Sequence, residues 1–414
     1  MTFAGEATAS LPEPAHPRRM HRSECRRSRG KPLPVKFSLT PDQKRLLEDA
    51  RRIAGESLAP IALRGEPGRV NRELLLALNQ ERLLPRLFPK RVGGTQPENA
   101  PAIEICLLRE GLAQGSTEAE NALAMQGIGG YPILVAGSDD LVQRWIPAVA
   151  RGEAVAAFAL TEPEHGSDAA AIELSAERDS DGYRLTGVKT WISNAPDADI
   201  YTVFARTTPD AGSKGVTAFA LPADSPGVSG KPLELISPHP IGTLELDGVF
   251  VPASNRLGEV DAGFKVAMRA LDVFRPSVGA FAVGMAQAAL DASAEHAGSR
   301  KAFGKPIKEF QAVSHLLAEM ATRTEAARLL VYAAAAAYDQ GTPGVTRSSA
   351  MAKLFATETA QFVVDAAIQI HGAIALERGH LLEHLYREVR APRIYEGTSE
   401  IQREVIAREL YRSR

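Results

Sequence analysis

The chain has 414 residues, of which 44 % are hydrophobic and 24 % charged, so it is long enough for several domains of roughly 100–200 residues. Its net charge of −2 offers no whole-chain attraction for nucleic acid, and Cys25 and Cys106 are too few for a disulfide scaffold or a zinc ribbon. No apolar run approaches the ~18 residues of a membrane span. We therefore expect a soluble, cytoplasmic protein with neither a nucleic-acid nor a membrane partner.

Residues 1–36 form a basic leader. They carry eight Lys and Arg against three Glu, a net charge of +5, which leaves −7 for residues 37–414. The leader has no apolar core, so a secretory signal is excluded. Its composition favours a disordered tail or a true start at Met20. An organellar transit peptide or a basic docking arm is the alternative.

The first predicted domain, residues 37–156, is helical. Thr40-Pro41-Asp42-Gln43 has the pattern of a helix start, because Thr40 suits the N-cap, Pro41 the first helical position and Gln43 the closing position of a capping box. Apolar residues then recur at helical spacing.

A middle β domain is predicted for residues 157–257. Short runs rich in β-branched and aromatic residues alternate with Pro, Gly, Asp and Ser, without intervening helices. This spacing favours an antiparallel sheet or small barrel. The predicted strands are 183–188, 200–205, 216–221 and 244–251.

Residues 258–414 are predicted to form a helical bundle. The run 311–340 is amphipathic and closes at Gly341, and a second helix is predicted over 347–370. The fold class is therefore mainly α with a middle β domain.

The sequence gives no support for several other enzyme classes. His380-Leu381-Leu382-Glu383-His384 fits an inverted zinc-protease pattern, but it leaves only 30 residues for a further ligand, so we predict a solvated helix face and no metal. The sequence has neither a Walker A loop nor a serine-hydrolase elbow, and it lacks a glycine fingerprint for dinucleotides in a strand–turn–helix context. Any nucleotide cofactor must be held in another way.

Three sequence motifs together match one known pattern. They are FALTEPEHGSD at 158–168, KTWISN at 189–194 and IYEGTSEIQ at 394–402. Taken singly, they read as a Gly/Ser turn, a strand end with a packed Trp, and a loop between helices. In this order and spacing the sequence closely resembles the acyl-CoA dehydrogenase family over about residues 37–412.

The resemblance implies FAD-dependent α,β-dehydrogenation of an acyl thioester, carried by coenzyme A or by an acyl-carrier protein. It implies an N-terminal helical domain, a middle β domain and a C-terminal four-helix bundle. It also implies electron transfer to an electron-transfer flavoprotein, and a homo-oligomer, with a dimer of dimers expected. The alternatives are a flavin oxidase that uses O₂ and a non-catalytic or DNA-binding member of the same fold.

The catalytic base implied by the resemblance is Glu396. Some family members place the base on a bundle helix, where this chain has Phe274, which cannot accept a proton. Arg275 is expected to orient the base loop or contact substrate, and a simple ion pair with Asp272 is the alternative. The residues expected to bind substrate are Ser167, Asp272, Phe274, Arg275, Tyr395 and Gly397.

The resemblance also implies two groups of FAD-binding residues. Those expected along the cofactor's ring side are Phe158, Leu160, Thr161, Gly166, Ser167, Trp191 and Ser193. Those expected at the pyrophosphate and adenosine side, where a neighbouring subunit shares the cofactor, are Arg300, Phe303, Gln311, Gln369, Gly372, Thr398 and Glu400. The chain departs from the family in having Ala373 where a second glycine is usual, so the packing of the adenosine end is open.

Overall fold

The computed structural model describes residues 39–412, and the predicted leader lies outside them. The α-helices of this part are α1 (Pro41–Ile53), α2 (Ala59–Ala62), α3 (Arg72–Gln80), α4 (Ala102–Gly115), α5 (Thr117–Ala136), α6 (Asp139–Ala150), α7 (Gly263–Ser299), α8 (Gln311–Asp339), α9 (Val345–His371), α10 (Leu381–Glu388) and α11 (Ser399–Arg412). The strands are β1 (Ala156–Ala159), β2 (Ser175–Asp179), β3 (Gly182–Ser193), β4 (Ile200–Arg206), β5 (Val216–Pro222), β6 (Val228–Ser229), β7 (Ile241–Pro252), β8 (Arg256–Leu257), β9 (Lys301–Ala302) and β10 (Lys305–Pro306).

The first helix begins as predicted. The Thr40 side chain accepts a hydrogen bond from the Gln43 backbone N–H, and the Gln43 side chain accepts one from the Thr40 N–H. Two of the free N–H groups at the helix start are thereby satisfied. The capping box predicted from the sequence is confirmed.

The middle region is a sheet in the order β6-β7-β3-β2-β4-β5-β8, with β1 beside β4. The predicted antiparallel pairing needs correction at β4, because β1 runs parallel to it over four residues and β2 pairs with it in parallel at Ser175 and Arg206. β1 connects to β4 through a long excursion that includes β2 and β3, and such a connection permits a parallel pair. Sequence patterning also missed β2 and underestimated β3, which continues to Ser193.

The C-terminal helices pack as a bundle in which α7 contacts α4, α8 and α9. The predicted long helices are found as α8 and α9, and Gly341 takes the left-handed φ of 61° that ends α8. The predicted order of helices, sheet and helices is confirmed. The predicted domain boundaries stay predictions, with α6 ending at Ala150 and α7 beginning at Gly263.

Two helices correct the expectation that no segment is long and apolar enough to cross a membrane. By length and composition alone, both Gly263–Ser299 and Val345–Leu376 pass that test. In the first, 89 % of the apolar window is buried inside the chain, as in the core helix of a soluble protein; in the second only 39 % is buried. Two such helices are weak evidence for a membrane. The apolar surface of the second helix is only partly covered by the rest of the chain.

Candidate functional site

Glu396 lies in the short connection between α10 and α11, in a loop with an unusual backbone. Glu396 has φ 51° and Gly397 has φ 90°, so two consecutive residues are left-handed. A side chain at position 397 would place its Cβ 2.5 Å from Nε2 of Gln402, and only glycine avoids both this contact and the strain.

Two buried side chains hold this loop by its carbonyl groups. Lys353 of α9 donates from Nζ to the Gly397 carbonyl at 2.7 Å. Gln402 of α11 donates from Nε2 to the same carbonyl at 2.9 Å and to the Glu396 carbonyl at 3.2 Å. Both side chains are fully buried. The loop is therefore fixed from two helices, while the Glu396 backbone N–H donates no hydrogen bond within the described residues.

The Glu396 carboxyl group is set apart from ordinary glutamates by its surroundings. Its Oε2 atom is buried and has no hydrogen-bond partner among residues 39–412. Burial raises the pKa of Glu396, and the charges of Arg109, Arg275 and Lys353 act against that rise. A carboxylate in such a place can accept a proton from a bound molecule.

The cations around Glu396 come from three different helices. Arg109 of α4 is buried, forms an ion pair with Glu120 of α5 and donates from Nη1 to the Ser277 hydroxyl of α7 at 2.8 Å. Arg275 of α7 lies 3.5 Å from the Asp272 carboxylate, and its Nε is buried with no hydrogen-bond partner among the described residues. The ion pair expected as the alternative for Arg275 is thus present.

Phe274, the neighbour of Arg275, closes the space between α5 and α7. A Cβ on Gly127 would lie 2.7 Å from the Phe274 ring, and the Tyr131 ring meets it edge-on at 6.0 Å. The apolar cavity left beside these residues measures about 10 Å³, no more than the ~10–15 Å³ that one water needs.

The β-domain part of the site is organised by a buried lysine. Lys189 of β3 donates to the Leu160 carbonyl at 2.9 Å and pairs with the Glu162 carboxylate at 2.7 Å. Burial lowers the pKa of Lys189 to about 8, while Glu162 acts to raise it. The Thr190 N–H donates to the Thr161 carbonyl at 3.0 Å. The loop after β1 is thereby joined to the end of β3.

Trp191 and Ser193 follow on that strand. The β3–β7 register shifts between Lys189 and Ile192, and Trp191 at this irregularity has φ 52° and leaves 53 % of its surface exposed. Ser193 is half-buried, and Gly166 and Ser167 are exposed. The Phe158 ring packs on the Phe204 ring, with the ring centroids 4.9 Å apart.

Five of the seven residues predicted for the pyrophosphate and adenosine side lie near one end of the bundle. The stacked rings of His296 and His371, 4.2 Å apart, join the end of α7 to the end of α9. Arg300 follows α7, and the exposed Gln369 and Gly372 lie where α9 ends. Between α7 and α8 the β9–β10 turn presents Phe303, which is 95 % exposed, and Gln311 begins α8.

Thr398 and Glu400 lie instead at the start of α11. The Thr398 hydroxyl accepts from the Ile401 N–H at 3.3 Å, as a helix cap does, and Glu400 is exposed. Within residues 39–412, no group of three or more His, Cys, Asp and Glu is arranged to hold a metal ion. His384 contacts the Thr117 hydroxyl at 2.6 Å.

Family models match almost the whole described chain. The N-terminal, middle and C-terminal domains of acyl-CoA dehydrogenases match residues 40–153, 157–249 and 261–411. The chain belongs to the acyl-CoA dehydrogenase family. It is therefore an oxidoreductase of the acyl-CoA dehydrogenase fold, as the three sequence strings indicated.

Individual relatives agree with this assignment. The chain is 37 % identical over 332 residues to the subunit CarC of the caffeyl-CoA reductase–Etf complex of Acetobacterium woodii, covering 77 % of this chain and 84 % of that one. The structure of butyryl-CoA dehydrogenase from Megasphaera elsdenii superposes with a TM-score of 0.86 at 34 % identity, covering 91 % of this chain and 100 % of the other. A structure of PigA with FAD and proline gives a TM-score of 0.84 at 29 % identity, covering 91 % and 99 %.

Sequence reasoning missed the buried residues that support the site of this acyl-CoA dehydrogenase. They are Arg109, Glu120, Glu162, Lys189, Lys353 and Gln402. A signal for them existed, because charged and amide side chains in otherwise apolar helical or strand positions stand out against the pattern. Their partners lie 5 to 168 residues away along the chain, so spacing alone did not pair them.

Proposed function

We propose that this chain catalyses the FAD-dependent α,β-dehydrogenation of an acyl thioester, with Glu396 as the base that takes the α-proton. The observation that carries the proposal is the buried Oε2 of Glu396, which has no hydrogen-bond partner among residues 39–412; the charges of Arg109, Arg275 and Lys353 act on the pKa of this carboxyl group. When bound, FAD supplies the acceptor for the hydride that leaves Cβ.

The residues around Glu396 suit proton abstraction from a weak carbon acid. Burial raises the pKa of Glu396, which makes its carboxylate a stronger base, while the charges of Arg109, Arg275 and Lys353 act against that rise. The free Glu396 N–H is available to the thioester oxygen, where negative charge develops as the α-proton leaves. Because Lys353 and Gln402 hold the loop, the Glu396 carboxylate and the Glu396 backbone N–H keep fixed positions relative to each other.

The residues of the β domain fit a flat, polar-edged cofactor. The half-exposed Trp191 offers a ring face, and the nearby Ser193 and Thr161 hydroxyls offer hydrogen bonds at its side. Lys189 fixes the loop that carries Leu160 and Thr161 relative to Trp191. We therefore assign the ring side of FAD to the first group of predicted residues, and the thioester arm to Ser167.

We also propose a homo-oligomer, with a dimer of dimers as its form. Phe303 is 95 % exposed, and the apolar stretch of α9 is only 39 % buried in one chain. Exposed apolar surface of this kind is typical of a subunit interface. In the oligomer Arg300, Phe303 and Gln311 would reach the FAD of the neighbouring subunit, with Gln369 and Gly372 beside them. Thr398 and Glu400 would close over the adenosine side.

An electron-transfer flavoprotein is the proposed electron acceptor, supported by the relative whose name includes an Etf complex. The thioester is proposed to be carried by coenzyme A or by an acyl-carrier protein, and the protein to act in the cytoplasm. A net charge of −7 over residues 37–414 speaks against the DNA-binding alternative.

Glu396→Gln tests the base. Flavin bleaching by saturated acyl-CoAs is followed without oxygen, and the exposed Glu404→Gln on α11 is the matched control. We expect Glu396→Gln to lose about 10²–10⁴-fold in the bleaching rate with FAD content unchanged, and the control to keep its rate. Full turnover of Glu396→Gln with bound FAD would refute the assignment.

Two further measurements test the acceptor and the assembly. Reoxidation of the bleached protein by an electron-transfer flavoprotein should exceed reoxidation by O₂; the reverse order would identify an oxidase. Phe303→Asp should shift the mass measured by light scattering towards smaller assemblies and reduce FAD content. An unchanged mass and FAD content would remove Phe303 from the interface.

A further inference from the structure

His239 lies in a stiff loop that precedes β7. Pro238 and Pro240 stand on either side of it, and each proline ring fixes its own φ angle. The Pro238 carbonyl accepts a hydrogen bond from the Gly68 N–H at 3.0 Å, and the Pro240 carbonyl accepts one from the Asn194 N–H at 2.7 Å. The loop is therefore bound both to the connection between α2 and α3 and to the residue that follows β3.

A buried ion pair connects this loop to the last residue of α10. His239 Nε2 lies 2.5 Å from Oε2 of Glu388, and both side chains are buried. The other Glu388 oxygen, Oε1, has no hydrogen-bond partner among the described residues. Arg387, the neighbour of Glu388, donates from Nη1 to the Ile236 carbonyl at 3.2 Å. Two successive residues of α10 thus hold the loop.

Both members of the pair are charged at neutral pH. Burial acts to lower the pKa of His239, but Glu388, and to a smaller extent Glu118 and Glu120, raise it to about 9. Burial likewise acts to raise the pKa of Glu388, and His239 holds that pKa below its usual value. Because a buried charge without its partner is costly, each side chain keeps the other in place.

On the bundle side, the pair lies close to the base along the chain. Glu388 ends α10, and Glu396 follows eight residues later. The connection contains a tight turn, in which the Ile394 and Tyr395 N–H groups both donate to the Ala391 carbonyl, at 2.8 and 3.2 Å. A shift of Glu388 is therefore passed to the base loop through a short, internally bonded connection.

On the sheet side, the pair acts at the end of β3 that carries Trp191 and Ser193. The residue after Ser193, Asn194, donates to the Pro240 carbonyl, and Ser193 itself pairs with Ile241 in the β3–β7 register. Trp191 and Ser193 are residues to which we assign the ring side of FAD. The ion pair therefore connects the base loop to the cofactor side of the site.

We propose that His239 and Glu388 are positioning residues, which hold the base loop at a fixed distance from the end of β3 where the flavin ring binds. This inference rests on the proposed function. Proton abstraction at Cα and hydride transfer from Cβ require the thioester to face the base and the ring together, and these come from the C-terminal and middle domains. A misplacement of about 1 Å can cost about 100-fold in rate.

Steady-state kinetics with acyl-CoA substrates test this role in three variants. His239→Leu removes the partner of Glu388 and should lower kcat by about 10- to 100-fold, while KM changes by less than about 3-fold. His239→Gln/Glu388→Gln allows a hydrogen bond between the same positions without either charge, and its kcat should return to within about 3-fold of wild type. The control is Arg72→Gln, which breaks another contact with the sheet, the Arg72–Asp199 ion pair at 2.8 Å, and should leave kcat unchanged.

Hydrogen exchange followed by mass spectrometry tests the connection without turnover. Peptides that cover residues 192–195 and 391–396 should exchange at least about 10-fold faster in His239→Leu than in wild type. The double variant and Arg72→Gln should match wild type in both segments. If His239→Leu yields no folded protein, Glu388→Asp, which shortens the pair by one carbon, should also lower kcat and speed exchange in these segments.

The outcomes separate the two proposals. If no thioester bleaches the flavin of the wild type, the proposed dehydrogenation fails, and exchange still tests the connection. If the wild type reacts and His239→Leu keeps its kcat, dehydrogenation stands and the positioning role is refuted. A loss confined to KM, or a double variant as slow as His239→Leu, also refutes that role.

Discussion

Lys353→Met should lower the activity of this protein without lowering its stability. The Lys353 ammonium is fully buried, and burial lowers its pKa to about 8 from 10.5. A pKa difference of this size corresponds to about 3 kcal/mol of folding free energy that the charged side chain costs at neutral pH. Methionine fills a similar volume without the charge, so the variant should be at least as stable as the wild type at pH 7.

Activity should change in the opposite direction. Lys353→Met removes the charged donor at 2.7 Å from the Gly397 carbonyl and leaves Gln402 as its remaining partner. Losing a hydrogen bond from a charged group costs about 1.5–3 kcal/mol, which in loop positioning corresponds to about 10- to 100-fold in kcat/KM. Loss of this cation also raises the pKa of Glu396 further.

Thermal unfolding and pH–rate profiles measure both effects. Since the lowered Lys353 pKa disfavours the folded state below pH 8, wild-type stability from this group should rise as pH increases from about 8 towards 10.5, and the variant should lack that rise. Exposed Lys308→Met is the control. A variant that melts clearly below wild type, or keeps its kcat/KM and pH midpoint, would refute the reasoning.

Three other predictions concern the same site. Because burial raises the pKa of Glu396, kcat/KM should fall on acidification with a midpoint above 4.5, and a midpoint at or below 4.5 would contradict its environment. Gly397→Ala should cost about 1–3 kcal/mol of unfolding free energy, measured in urea, because φ is 90° and the new Cβ meets Gln402; an unchanged midpoint would show that the loop relaxes. Lys189→Met should weaken FAD retention on gel filtration, since it leaves the Glu162 carboxylate without its cation, and full retention would show that this pair does not support the cofactor loop.

The sequence alone determined the element order and the positions of the three motifs. Helix starts, strand runs and helix stops depend on residues close together in the chain, as at Thr40 and Gln43, so local spacing predicts them. The parallel pairing of β1 with β4 was not predicted, because strand pairing depends on packing across the whole sheet and not on residues close together in the chain. The membrane expectation failed for a similar reason, since burial inside a bundle and in a bilayer favour the same apolar composition.

The sequence by itself determined the family and the candidate base, because Glu396 sits in a contiguous motif whose chemistry is carried by neighbouring residues. Only the tertiary structure decided what surrounds that base. Arg109, Arg275 and Lys353 come from three separate helices, and their charges act together on the pKa of Glu396 because of how those helices pack. Electrostatic interactions depend on distance and burial in space, not on separation along the chain, so the environment that shifts the pKa of Glu396 exists only in the folded protein.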